Sequence, residues 1–163
     1  MTQAGGFLNC NANSTNTTLK GCQLTTWKMF PLFGNGALEW EMTGQITSTP
    51  IANEVFEAGI FPLGTGVAAP TEGAYFRLTN AGLIGIINFN GTETPTGVLM
   101  SSGAFPLNQN GQYKIVISER NVEFWANDIY LGALPVPTSA CSSSRSYRRR
   151  DHGRDALPRT HPG

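Results

Sequence analysis

The chain has 163 residues, including 19 glycines and 10 prolines, and only 13% of its residues are charged. This length accommodates one domain with a sizeable core, and the composition is typical of a turn-rich β protein rather than of a helical one. The net charge of zero conceals an asymmetry, because residues 1–140 carry five Lys or Arg against nine Asp or Glu (net −4), whereas residues 141–163 carry six Arg against two Asp (net +4). No run of about 18 apolar residues is present, so no membrane-spanning helix and no membrane partner are expected.

The first 20 residues are mostly small and polar, and they are predicted to form a flexible N-terminal arm. They have neither the basic start nor the apolar stretch of a signal peptide. Asn11, Asn13 and Thr17 are the candidate partner-binding residues of this arm, because such a segment orders when it docks on a neighbouring molecule.

Alternation of apolar and polar residues predicts a series of short antiparallel strands after this arm. Residues 23–33 begin the ordered part, and in residues 37–43 Leu38, Trp40 and Met42 alternate with polar residues. Residues 62–73 are predicted as a Gly/Pro loop, residues 88–95 as a turn, and residues 80–82 as a hairpin turn. Further strands are predicted over residues 54–61, 74–79, 83–88 and 96–101.

The clearest strand pattern lies in residues 113–132. Apolar residues alternate through 113–117 and again through 122–126, and Asn127 and Asp128 supply a turn before a short strand at 129–131. Eight or nine strands at roughly ten-residue spacing predict an all-β, two-sheet antiparallel sandwich over residues 21–138. The predicted core comprises Leu38, Trp40, Met42, Val55, Phe76, Leu78, Ile84, Ile86, Ile115, Ile117, Val122 and Phe124.

Residues 139–163 form a Ser/Arg-rich basic tail that is predicted to be disordered. Arg148, Arg149 and Arg150 are its candidate partner-binding residues, and a tyrosine among the arginines would suit a nucleic-acid arm. Because the tail also contains two aspartates and the rest of the chain is acidic, a solvated or partner-docking tail, or a non-native extension, is favoured over one that binds nucleic acid.

The motif Tyr113-x-Ile-x-Ile, followed by Val122-Glu-Phe-Trp-x-Asn-Asp128 and Leu131-Gly132, resembles the last core hairpins of concanavalin-A-like jelly rolls. The segments E-W-E-M, A-Y-F-R-L and L-I-G-I-I-N-F-N-G are similar to virion-associated proteins of tailed bacteriophages, which carry this sandwich in decoration proteins, fibres and tail parts. The resemblance covers residues 37–137. It implies a jelly-roll fold and a non-enzymatic structural role in a virion that is assembled in the host cytoplasm. The implied partners are major capsid or tail proteins and further copies of the chain, in a homotrimer or another symmetric assembly.

The alternative function is a carbohydrate-binding module that recognises host glycans. In that hypothesis Trp125 or Tyr75 stacks on a sugar from an exposed sheet face, and Asn127 and Asp128 supply polar groups. The same Asn-Asp pair has the oxygen ligands that calcium prefers, but such pairs are far more often turn residues, so no metal is predicted.

Enzymatic activity and a cofactor are not predicted. Glu39 and Glu41 lie two residues apart on one strand and therefore share a face, as paired carboxylates do in some glucanases of this fold. The third acid of that glucanase motif is missing, so a solvated polar face is the favoured interpretation. Both histidines lie in the tail, the three cysteines fit no metal-binding spacing, and no glycine-rich loop precedes a helix.

Overall fold

The computed structural model describes residues 2–4, 7–9, 24, 36–52, 54–62 and 70–137. These described residues contain eleven β-strands and no helix. The strands are β1 (Thr2–Ala4), β2 (Phe7–Asn9), β3 (Leu38–Gln45), β4 (Phe56–Ile60), β5 (Gly73–Thr79), β6 (Gly82–Phe89), β7 (Thr92–Pro95), β8 (Met100–Ser101), β9 (Asn110–Ile117), β10 (Asn121–Ala126) and β11 (Ile129–Pro135).

Nine of these strands form the two antiparallel sheets of a β-sandwich, which confirms the all-β prediction. The four-stranded sheet has the order β11-β10-β9-β3, and the five-stranded sheet has the order β4-β5-β6-β7, with β8 also paired to β6. Strands β4 to β7 and strands β9 to β11 are therefore two meanders of consecutive neighbours. Strand β3 joins the second meander from far away in the sequence, with Leu38 opposite Ile117 and Gln45 opposite Asn110.

The hydrophobic core lies between the inner faces of the two sheets. Phe76 of β5 packs edge-to-face on Phe124 of β10 at a ring-centroid distance of 5.2 Å and on Tyr113 of β9 at 5.9 Å. Gly85 of β6 permits this approach, because a Cβ atom at that position would lie 2.6 Å from the Phe124 ring. The two inner faces are thus in close contact at this point, and a side chain at position 85 would push the sheets apart.

Most of the predicted core is confirmed, but three members are placed differently. Val55 lies just before β4 and not within it, and its side chain is 58% exposed. The prediction that Val55 is a core residue is therefore wrong. Ile86 is fully buried and Ile84 half-buried, yet both lie on the outer side of the five-stranded sheet. Residues 83–87 are apolar on both sides of the strand, so alternation alone does not show which side faces the core; the contact of Gly85 with Phe124 does.

Three differences between the observed and the predicted strands are larger than a shift of up to three residues at a strand end. Strand β7 occupies a segment that was predicted as a turn, the strand predicted at 96–101 is reduced to β8, and the last strand continues to Pro135. The β7 strand has four exposed residues with no apolar side, which is why alternation did not predict it.

Within the predicted N-terminal arm, β1 and β2 pair as a small hairpin, with Thr2 opposite Asn9. The candidate partner residues of the arm and tail lie outside the described residues; they are Asn11, Asn13, Thr17, Arg148, Arg149 and Arg150. Over the described part of the chain, no helix has the length and hydropathy needed to cross a membrane.

Candidate functional site

The outer side of the four-stranded sheet carries the largest set of predicted site residues. Strand pairing places four residues in one row across the sheet, Glu41, Lys114, Trp125 and Tyr130. The neighbouring row contains Glu39, Val116, Glu123 and Ala133. We call these two rows, together with Gln112, the Trp125 face. The prediction that Glu39 and Glu41 share a polar face is confirmed, and Trp125 shares it with them.

Trp125 is half-buried and held in one orientation by its neighbours. Its indole Nε1 donates a hydrogen bond to Glu123 Oε2 at 3.2 Å, and its ring meets the Tyr130 ring edge-to-face at 5.3 Å. Lys114 Nζ lies 5.5 Å from the centroid of the Trp125 ring, in a cation–π contact. The indole is therefore pre-organised, but a ligand that stacks on this ring must share the site with the lysine.

Negative charge dominates the Trp125 face. Three carboxylates, those of Glu39, Glu41 and Glu123, share this side of the sheet with one ammonium group, that of Lys114. Gln112 Nε2 donates to Glu41 Oε1 at 2.7 Å, whereas no described side chain pairs with Glu39. The face thus presents acceptor oxygens to solvent and to any cationic partner.

Asn127 and Asp128 form the turn between β10 and β11 at the end of this face. Both have positive φ, 49° and 61°, as the two central residues of a type I′ hairpin turn require. The Asn127 Oδ1 atom accepts from the Gln112 N–H at 2.9 Å, and the Asn127 N–H donates to the Gln112 carbonyl at 2.8 Å. Asp128 is 80% exposed and lies 3.8 Å from Lys114 Nζ. These contacts explain both residues as turn residues.

Among the described residues, no group of three or more potential metal ligands is close enough to hold an ion.

Tyr75 is not part of the Trp125 face, and its prediction as an exposed stacking residue is wrong. It lies on the outer side of the five-stranded sheet and is 0% exposed. Phe61 packs on its ring edge-to-face at 5.4 Å, and its hydroxyl donates to Glu93 Oε1 at 2.9 Å. Burial raises the pKa of the Tyr75 hydroxyl, and the hydrogen bond to Glu93 raises it further. A buried phenol with a carboxylate partner has no surface on which a sugar could stack.

A second polar cluster, which sequence reasoning missed, surrounds Tyr75. Arg77 Nε donates to Glu57 Oε1 at 2.6 Å, and its two terminal nitrogens donate to the Glu93 carboxylate at 2.7 and 2.8 Å. Hydrogen bonds from Arg77 hold the pKa of the Glu93 carboxyl below its ordinary value, and those to Glu93 raise the pKa of Arg77. We call Glu57, Tyr75, Arg77 and Glu93 the Arg77 network. Its members come from three strands up to 36 positions apart, so only the sheet register could reveal it.

The two outer faces therefore differ in what they can do. The Arg77 network satisfies its own charges and stabilises the sheet, whereas the Trp125 face combines an oriented aromatic pair with solvent-facing carboxylates and can bind a partner. Comparison with known proteins finds no family model, no curated protein and no solved structure that matches the chain.

Proposed function

We propose that the protein is a non-enzymatic structural component of a tailed-phage virion, a capsid decoration protein or a fibre or tail component, and that it acts through protein–protein contacts of the Trp125 face. The observation that carries the contact role is the oriented pair of half-buried Trp125 and exposed Tyr130 beside solvent-facing carboxylates. The virion role and the concanavalin-A-like jelly-roll type of the sandwich are supported by the resemblance of residues 37–137.

The physical character of the Trp125 face suits a protein partner. Tryptophan and tyrosine dominate the binding energy of protein interfaces when they are surrounded by polar groups that exclude water. Tyr130 is 52% exposed and its neighbour Ile129 is 64% exposed, on the edge strand β11. An edge strand with exposed apolar side chains can extend its sheet or bury those side chains against a second molecule.

The partners in this proposal are major capsid or tail proteins and further copies of the chain, in a trimer or another symmetric assembly. The site of action is the virion, which is assembled in the host cytoplasm. Closed symmetry suits a small sandwich that repeats the same contact around an axis. The proposal includes no cofactor, and it gives nucleic acid no role except through the basic tail.

A second candidate is glycan binding by the same face. It is favoured by one observation, that Trp125 shares its sheet face with the hydrogen-bonding groups of Glu41 and Gln112, since aromatic rings accompanied by polar groups are typical of sugar sites. The position of Lys114 near the Trp125 ring argues for the protein-contact role instead, because a pyranose would have to displace the ammonium group from the ring face.

The test is the molar mass of the purified chain by light scattering during size exclusion, for the wild type and for Trp125→Ala. We expect a defined oligomer for the wild type and partial or complete dissociation for Trp125→Ala. Val98→Ala is the matched control, because Val98 is 56% exposed and lies outside the Trp125 face; it should leave the mass unchanged.

The same preparations, screened on an immobilised glycan library, separate the two candidates. Glycan binding by a monomer that is abolished in Trp125→Ala, with an unchanged circular dichroism spectrum, would establish the second candidate and reject the first. A further variant without residues 1–20 shows whether the arm contributes to assembly.

A further inference from the structure

We propose that strand β11 pairs with β11 of a second copy of the chain, antiparallel and around a two-fold axis, so that the two four-stranded sheets become one continuous sheet. This pairing rests on the proposed function and specifies it further, because it names the strand, the partner and the register through which copies of the chain associate. The two Trp125 faces then lie side by side on one surface, since Tyr130 and Ala133 of β11 belong to that face.

Strand β11 differs from the other edge strands in its charge. Among the described residues, the edge strands of four or more residues are β3, β4, β7 and β11. The first three contain glutamates, whereas the seven residues of β11 contain no charged side chain; the glutamates are Glu39, Glu41, Glu57 and Glu93. Charged side chains on an edge strand disfavour its pairing with an identical strand, because like charges then come close together. Strand β11 can pair with a copy of itself without that repulsion.

The backbone of β11 presents the N–H and the C=O of Ala133 to the outer edge of the sheet. The Val136 N–H donates to the carbonyl of Arg120, just before β10, at 2.8 Å. Because alternate residues of an antiparallel strand bond to the same neighbour, Leu134 and Gly132 also direct their backbone groups toward β10. The groups of Ala133 therefore point away from β10, to the side on which no described strand lies.

The residues on either side of Ala133 fix the register. Pro135 faces the same edge but has no N–H, and a β-bulge interrupts the regular pairing between Gly132 and Tyr130. A long ladder is thus excluded, and the arrangement that uses both free groups places Ala133 opposite the partner's Ala133. Each of these two residues then donates its N–H to the carbonyl of the other, so that two hydrogen bonds form across the two-fold axis.

The side chains around Ala133 suit a second copy. Ala133 is exposed and small, and the Cα atoms of such a hydrogen-bonded pair are only about 5.5 Å apart. Glu123 lies opposite Ala133 on β10, so the Glu123 residues of the two copies are separated by three strand spacings, about 14 Å. This exceeds the Debye length of about 8 Å at physiological salt, so their repulsion is largely screened. Each copy contributes one such edge, and the pairing therefore closes as a dimer.

The experiment measures the dissociation constant of the dimer by light scattering during size exclusion over a dilution series, for the wild type and for Ala133→Pro. A proline at this position removes only an N–H that points away from β10, so each monomer keeps its own ladder, whereas the proposed pair loses both hydrogen bonds. We expect the dissociation constant to rise by about tenfold or more. Ala133→Ser is the matched control, because it keeps the N–H and a small side chain, and it should change the constant by less than about threefold.

A charge exchange tests the register independently. Ala133→Lys and Ala133→Glu should each weaken the dimer, because two like charges then face each other across the axis. An equimolar mixture of the two variants should associate more strongly than either variant alone, since opposite charges then face each other. Thr94→Lys places the same charge on the exposed edge strand β7 and should leave the dissociation constant unchanged. Unchanged circular dichroism spectra show that each variant is folded.

Three outcomes would overturn the pairing of β11: an unchanged dissociation constant for Ala133→Pro, a mixture of charge variants no tighter than its components, or a wild type that stays monomeric at every concentration. Trp125→Ala separates these results from the proposed function. An oligomer that dissociates in Trp125→Ala but persists in Ala133→Pro would reject the pairing of β11 and keep the contact role of the Trp125 face. Dissociation in Ala133→Pro alone would support the pairing and reject the role of Trp125.

Discussion

The outer faces of the two sheets contain similar residue types in opposite states. On the five-stranded sheet, Arg77 is bound by two carboxylates and Tyr75 is fully buried. On the four-stranded sheet, the one ion-pair partner of Lys114 among the described residues is Asp128, at 3.8 Å, and Tyr130 is 52% exposed. The comparison shows that a cation, an acid and a tyrosine stabilise the fold when they are desolvated and paired with one another. The same residue types remain available for a partner when they are exposed and unpaired.

The reason for the difference is the way in which each face is covered. Arg77 extends across β6 to reach Glu93 on β7, and Ile86, which lies on the same side of β6 between the residues paired with Arg77 and with Glu93, is 0% exposed. Asn88 Nδ2 donates to the Pro70 carbonyl at 2.7 Å and fixes the chain that enters β5 against the same face. No described segment crosses the Trp125 face in this way.

We call the outer side of the five-stranded sheet, where the Arg77 network lies, the closed face, and the Trp125 face the open face. The largest expected effect on stability comes from removing Arg77, the cation of the closed face. Arg77→Met leaves the carboxylates of Glu57 and Glu93, which are 16% and 34% exposed, without their cation. We expect the free energy of unfolding in urea to fall by about 3 kcal/mol, since removing one member of a desolvated ion pair leaves the other charge uncompensated. Lys114→Met is the matched control on the open face and should change the free energy by less than about 1 kcal/mol. Equal losses in the two variants would remove the distinction between the faces.

A smaller change in the free energy of unfolding is expected when the pH is lowered. Since Arg77 holds the pKa of the Glu93 carboxyl below its ordinary value of 4.5, the unfolded chain takes up this proton at a higher pH than the folded chain does. The stabilisation from Glu93 is therefore complete above pH 4.5 and is lost as the pH falls through the folded-state pKa. Urea unfolding from about pH 6 to about pH 3 should show the free-energy difference between the wild type and Glu93→Gln narrowing as the pH falls. A constant difference would mean that the contact with Arg77 does not depend on the charge of Glu93.

The two tyrosines sharpen the comparison further. Tyr75→Phe removes a buried hydrogen bond to the Glu93 carboxylate and should lower the free energy of unfolding by about 1.5 kcal/mol. Tyr130→Phe removes an exposed hydroxyl that has no described partner and should change it by less than about 0.5 kcal/mol. Thermal unfolding followed by circular dichroism measures both. A larger loss for Tyr130→Phe would show that the open face is covered in the free protein.

The smallest effect concerns the turn at the edge of the open face. Asp128 has a φ of 61°, which costs a non-glycine residue about 1 kcal/mol, and glycine adopts it without that cost. The greater freedom of glycine in the unfolded chain offsets part of this gain, so Asp128→Gly should stabilise the protein by up to about 0.5 kcal/mol. Destabilisation measured in urea would show that the Asp128 carboxylate does more than occupy a turn.

Several features of the fold follow from the sequence because they depend on local alternation. In residues 113–126, side chains two apart must lie on the same side of a strand, and the Asn-Asp turn pairs the strand before it with the strand after it. This local rule predicted that Phe124 lies in the core and that Trp125 lies on the opposite side. It also predicted the shared face of Glu39 and Glu41, as the structure confirms.

Other features were decided only by the tertiary structure, because they depend on what covers each side of a sheet. Alternation placed Tyr75 opposite Phe76 but could not show that Phe61 and Glu93 bury its ring and hydroxyl. Each hydrogen bond of the Arg77 network joins residues 16 to 20 positions apart through the register of β4 to β7, and no local pattern specifies that register. The sequence by itself thus determined the sides of each strand, whereas packing of distant segments decided which outer face is closed and which is open to a partner.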